Sequence, residues 1–93
     1  MIEVADGRLT VTGPMTMLSA AALKSAGDAA VAAGAAVVDL AGVTEADSAA
    51  VAVLFSWLRV AQQAQRPLSI VAAPDSLRSL ATLYGVADLL PLT

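Results

Sequence analysis

Apolar and polar positions alternate at the start of the chain. Ile2 to Val4 and Leu9 to Val11 are short β-prone runs, and Asp6-Gly7 stands between them. An Asp-Gly pair suits a type I′ turn, whose two central residues need positive φ, so the pattern predicts an antiparallel hairpin. Its second strand is expected to end near Thr12, because Gly13-Pro14 breaks the run. Thr16 or Ser19 then caps a helix through "AAALKSAGDAAVAAG", with Leu18, Leu23 and Val31 as its larger apolar side chains. Gly27 weakens the middle of that helix by about 1 kcal/mol relative to Ala. Gly34 is placed to stop it.

The run "AAVVDL", residues 35–40, is apolar except for Asp39. Val37, Val38 and Leu40 read as a strand buried on both faces or nearly so. A loop "AGVTEAD" is expected next, then a helix from about Ser48 to Gln65, ended by Arg66-Pro67. "LSIVA", residues 68–72, predicts a second central strand. Pro74-Asp75-Ser76 opens a third helix, with an acid in its first turn, and Gly85 stops it after Tyr84. "VADLLPL" closes the chain with room for a short edge strand, limited by Pro91. The order is ββαβαβα, an α/β fold on a small mixed sheet. The strand, helix and strand at 37–40, 48–65 and 68–72 form a βαβ unit, which calls for parallel strands and a right-handed crossover. No repeat or linker interrupts residues 1–93, so one domain is expected.

The helix after Asp47 is apolar on more than one side. At about 100° per residue, Val51, Leu54, Phe55 and Leu58 share an arc and form the natural core stripe. Val53, Trp57 and Val60 fall near the opposite side, with Ser56, Arg59 and Gln63 between. A surface helix should be polar opposite its core stripe. Either another element of the same fold covers the second stripe, or the stripe is a docking face with an exposed Trp57 as its anchor. At the helix start, Asp47 is expected as N-cap or first-turn acid. The Ser48 hydroxyl either stands exposed at the mouth of the loop or is itself the cap. The helix dipole favours a phosphate on Ser48, and Glu45 and Asp47 oppose it.

Composition narrows the chemistry. Net charge is −3 with no Lys/Arg cluster, which argues against nucleic acid or anionic lipid as a direct partner. The chain has no cysteine and no histidine, so it lacks disulfides, thiolate ligands and the commonest general base. Ser48 therefore has no histidine to deprotonate it. No phosphate-cradling glycine motif is present. No catalysis, cofactor or metal site is expected. Asp39, Glu45 and Asp47 are better explained as caps and loop acids than as cation ligands. Arg59, Arg66 and Arg78 read as surface salt-bridge partners. Apolar residues make up 58 % of the chain, many of them alanine. The apolar stretches are too short or too interrupted to cross a bilayer, and the N-terminus does not read as a signal peptide. The cytoplasm is the expected compartment, and so apolar a domain suggests a life against a partner.

"VVDLAGVTEADSAAVAVL" resembles the central signature of STAS domains: a strand ending in Asp-Leu, a short loop, then Asp-Ser/Thr at the start of an amphipathic helix. The tail "SLRSLATLYGVADLLPL" is similar to the end of MlaB-type STAS proteins. The resemblance runs from the hairpin to Pro91. It implies a small mixed sheet with helices mainly on one face, and a binding role. It further implies a cytoplasmic accessory subunit of an MlaFEDB-type ABC transporter that moves phospholipid between inner and outer membranes. Such a subunit binds and supports the transporter ATPase, touches the permease only indirectly, and is held at the inner membrane through its partner. The hydroxyl residue after Asp lies at the ATPase contact in that family. Ser48 matches it, which sets Asp47, Ser48, Ala49, Val53, Trp57 and Val60 as the expected partner-binding residues. Anti-sigma factor antagonists form the other branch, in which the Ser after Asp is phosphorylated by a kinase that is also the anti-sigma factor. Ser48 matches that position too, although Ala50 stands where many of those proteins carry Gly.

Overall fold

The hairpin forms where the Asp-Gly pair predicts it. Strands β1 (Ile2–Ala5) and β2 (Arg8–Met15) pair antiparallel, with Ala5 opposite Arg8. Asp6 and Gly7 have φ of 54° and 76°, the two positive values that a type I′ turn needs. The structure is a computed structural model and describes residues 1–92. It continues as α1 (Ala20–Ala32), β3 (Val37–Ala46), α2 (Ser48–Gln63), β4 (Ser69–Val71) and α3 (Asp75–Leu83), with a short 3-10 turn at Ala87–Leu89. The strands lie in the order β1-β2-β3-β4, with β2–β3 and β3–β4 parallel, so the sheet is mixed as expected.

Two strands are longer than their sequences suggest. Instead of ending near Thr12, β2 runs through Gly13-Pro14 to Met15. The first residue of the chain, Met1, exchanges backbone hydrogen bonds with Thr12 at 2.9 and 2.7 Å. Beyond that point β2 has no neighbour on the β1 side, so the missing N–H of Pro14 breaks no ladder there. On its other side Gly13 and Met15 still pair with Val43 and Ala46 of β3. The "AGVTEA" segment expected as a loop is the second half of β3. Its polar composition fits its place, because β4 stops opposite Asp39 and leaves that half paired to β2 alone. At the end of the order, β4 is an outer strand and not a central one, flanked among the described residues by a parallel bridge from Ile70 to Leu92.

One face of the sheet carries the core. Leu9, Val11, Met15, Val38, Leu40 and Ile70 are buried there beneath the helices, together with Leu23, Val31, Leu54 and Leu77. The other face is open. Arg8 and Asp39 pair across β2 and β3 at 2.9 Å, and Val37 is only half-buried. Thus β3 is not buried on both faces: Val38 and Leu40 point into the core, while Val37 and Asp39 point away. Leu18 does not belong to α1. It precedes the helix and is 98 % exposed.

Candidate functional site

Asp47, not Ser48, caps α2. Its Oδ1 accepts the Ala49 N–H at 2.8 Å, satisfying one of the free donors at the helix start. Its Oδ2 accepts the Met17 N–H at 2.9 Å. One carboxylate therefore ties the β2–α1 loop to the first turn of α2. Ser48 is the first residue of that turn and is exposed. Both parts lie at the carboxyl ends of parallel strands, β2 and β3, the usual place for a site in an α/β sheet.

The same loop holds an apolar pair that the sequence did not single out. Met17 is 78 % and Leu18 98 % exposed, next to the Asp47 carboxylate. The sequence counts Leu18 among the larger apolar side chains of α1, but the helix starts only at Ala20, after Ser19. The Ser19 hydroxyl does not cap the helix. It donates to the Pro14 carbonyl at 2.9 Å and accepts the Thr16 N–H at 3.0 Å, bracing the loop that presents both side chains. Placing the cap at Ser19 rather than Thr16 was the signal that would have put Met17 and Leu18 outside the helix.

The second apolar stripe of α2 is covered from within the fold. Trp57 is fully buried, Val53 nearly so, and Val60 half-buried. An exposed tryptophan anchor is therefore ruled out, and Val53 and Trp57 are core residues. Helix α1 covers them, and it can do so because residue 27 is a glycine. A Cβ at Gly27 would overlap Cε2, Nε1 and Cζ2 of Trp57. The indole Nε1–H donates to the Lys24 carbonyl at 3.3 Å. Beside it, the buried Ser56 hydroxyl donates to Asp28 at 2.9 Å, and Asp28 in turn holds Lys24 at 2.9 Å. Gly27 is thus a packing requirement and not merely a weak point in α1.

Toward the helix N-termini the same seam opens. Ala20 and Ala21 of α1 face Ala49 and Ala52 of α2 across a groove of about 300 Å³, with Val53 in its lining. Lys24, Ser56 and Arg59 line the rest of it. Among the described residues the ion pairs are Arg8–Asp39 and Lys24–Asp28. Arg59, Arg66 and Arg78 are therefore not the salt-bridge partners they were expected to be. Asp39 lies away from the groove, on the open sheet face. The Ala41 N–H, and then Arg8, hold its carboxyl below the usual carboxylate range. Among the described residues no group of three acids, with Asp39, Glu45 and Asp47 considered, gathers to hold a metal ion.

A one-sided mixed sheet with an acid-capped, hydroxyl-led helix behind its third strand defines a small protein-binding class. An anti-sigma factor antagonist from Mycobacterium paratuberculosis shares this fold with a TM-score of 0.75 and 26 % identity, over 99 % of this chain and 81 % of that one. The anti-sigma factor antagonist SpoIIAA in its unphosphorylated form matches at 0.73 and 11 %, over 100 % and 86 %. A Thermotoga maritima protein matches at 0.77 and 12 %, over 99 % and 83 %. These last two likenesses show the fold alone. No curated protein matches the chain. The family described as "Mlab, STAS domain" matches residues 2–91. The chain belongs to this MlaB-type STAS family. STAS domains act through protein–protein contact, and their fold is typically that of a non-catalytic regulatory or accessory domain.

Proposed function

We propose that the chain is a non-catalytic, cytoplasmic STAS subunit that binds and supports the ATPase of an ABC transporter for inter-membrane phospholipid transport. It sits peripherally at the inner membrane through that partner. The reading is carried by an exposed apolar mouth at the head of α2 in a chain of the MlaB-type family. The contact set is Asp47, Ser48 and Ala49 together with Met17 and Leu18. Such a surface suits a partner that supplies apolar cover, because exposed large side chains grouped around a polar centre are typical of docking sites.

Ser48→Arg tests it. Ser48 is exposed and its side chain makes no hydrogen bond among the described residues, so the variant keeps its fold. The expected result is at least a tenfold loss of the ATPase recovered with the tagged protein from its native cell, with an unchanged melting curve. Undiminished recovery removes Ser48 from the contact.

A second reading is an anti-sigma factor antagonist switched at Ser48. It is favoured by the 26 % identity to the mycobacterial antagonist and by an exposed hydroxyl at a helix N-terminus, where a phosphate dianion is electrostatically welcome. In that case Ser48→Asp releases a kinase-like partner and Ser48→Ala keeps it. Absence of phosphate on Ser48 in growing cells takes away its support.

A further inference from the structure

Arg59 is the one groove-lining cation with no partner. It is exposed, and among the described residues its side chain makes no hydrogen bond or ion pair. Lys24, across the seam, is neutralised by Asp28 at 2.9 Å. The chain as a whole is acidic, with a net charge of −3, so a bare guanidinium at the edge of an apolar groove stands out. Alanine methyls from both helices line the groove, and its volume of about 300 Å³ is at the lower end for a small-molecule pocket. It has room for one or two large side chains.

Resting on the proposal that this end of the molecule binds a protein, we infer that the α1–α2 groove takes a partner helix through one bulky apolar side chain and one carboxylate. The apolar side chain seats against Ala20, Ala49 and Ala52, and the carboxylate pairs with Arg59. The charge of the groove selects this chemistry. A single uncompensated guanidinium matches one Asp or Glu in a planar, two-pronged contact. A phosphate group carries more charge than the groove can balance, since Lys24 is already paired and Asp47 and Glu45 lie toward the other end. Ala52 and Arg59 are seven residues apart, which along α2 is about 10 Å, or two turns. A partner helix running along the seam therefore presents its two anchors about seven residues apart on one face. Met17 and Leu18 extend the contact beyond the groove mouth.

The test places a photo-crosslinking phenylalanine at residue 63 of the full chain in its native cell, one turn beyond Arg59 and outside the groove lining, and a second version carries it at residue 18. The captured peptide is sequenced. The expected result is capture from residue 63 of a segment holding an apolar residue and an acid about two turns apart. Arg59→Glu then lowers capture at least tenfold, Arg66→Glu leaves it unchanged, and reversing the charge of the captured acid restores it in the Arg59→Glu background. An unchanged melting curve for Arg59→Glu confirms that the fold is intact. Capture that is insensitive to Arg59→Glu, or a charge reversal that rescues nothing, overturns the inference. Capture of the transporter ATPase from residue 18 but nothing from residue 63 also overturns it, and leaves the proposed function standing. Arg59-dependent capture of a kinase-like protein from both positions keeps the groove chemistry and discards the transporter. A second copy of this chain at residue 63, or no capture at either position, overturns it as well.

Discussion

Helices α1 and α2 follow parallel strands and begin at the same end of the molecule, yet they meet differently along their length. Around Gly27 they close. The indole of Trp57 fills the place of a missing side chain, and Ser56, Asp28 and Lys24 form a polar lock beside it. Around Ala20 and Ala49 they gape, although alanines from the two helices face each other there. Hydrophobicity is similar at the two ends, but complementarity of size is not. A glycine facing a tryptophan fills the gap to contact distance, whereas alanine facing alanine leaves both methyls short of each other. The closed end holds the fold together, and the open end is left for something else.

The sharpest way to break this comparison is to add one methyl at each end. Gly27→Ala should lose about 2–3 kcal/mol of stability in urea unfolding, although alanine itself favours the helix by about 1 kcal/mol. The loss comes from displacing the indole, so Trp57→Phe should recover part of it. A double-mutant cycle should give a coupling of about 1 kcal/mol or more. Simple additivity would mean that Gly27 and Trp57 are not the lock.

At the open end the largest expected effect belongs to the cap. Asp47→Ala removes acceptors for both Ala49 N–H and Met17 N–H and should destabilise by about 1–2 kcal/mol. The Met17 amide should also exchange faster with solvent, while amides around Trp57 keep their protection. Equal loosening at both ends would show that the two halves of the seam are one cooperative unit.

A smaller effect marks the open face of the sheet, remote from the seam. The Asp39 carboxyl is held below its ordinary value of 3.8 by the Ala41 N–H and by Arg8, so the native state favours its charged form. A lowered native pKa gives stability that is present above the unfolded value and lost as pH falls through the native one. Asp39→Asn should therefore cost about 0.5–1 kcal/mol at neutral pH. The difference from wild type should shrink as pH falls below the unfolded carboxyl's value and disappear only below the lowered native one. The same difference should be found in the Gly27→Ala background, because the two sites share no partner. The smallest effect is expected from Ala52→Leu. Filling the groove should change stability by no more than about 0.5 kcal/mol while blocking partner capture. If it destabilises as much as Gly27→Ala, the groove is already full.

Much of this fold could be read from local chemistry. Asp6-Gly7 dictates the hairpin, Pro74-Asp75 the start of α3, and the apolar and polar alternation the order of elements. The errors arose where a neighbour decides. Gly13-Pro14 ends a strand only if both its sides need N–H donors, and β1 has run out by then. "AGVTEA" looks like a loop because it is polar, but a strand with one paired edge and one exposed face can be polar. Asp47 and Ser48 were legible as a helix start because capping is local. The place of Trp57 was not, since its cover is a hole in another helix, and the periodicity of α2 carries no trace of Gly27. Leu18 was misplaced because Thr16 and Ser19 both read as caps, and the helix starts only after Ser19.

Trp57 is the only tryptophan in the chain, and it sits dry in the closed half of the seam with its Nε1–H on a carbonyl. The protein therefore carries a built-in optical gauge that needs no label. Indole fluorescence shifts toward the red when water reaches the ring, so the emission wavelength reports whether the helices stay locked. A partner that seats in the alanine groove and leaves the lock alone will bind without changing the colour. One that pries the helices apart will redden the emission as it binds, and a stopped-flow trace of that change will time the opening.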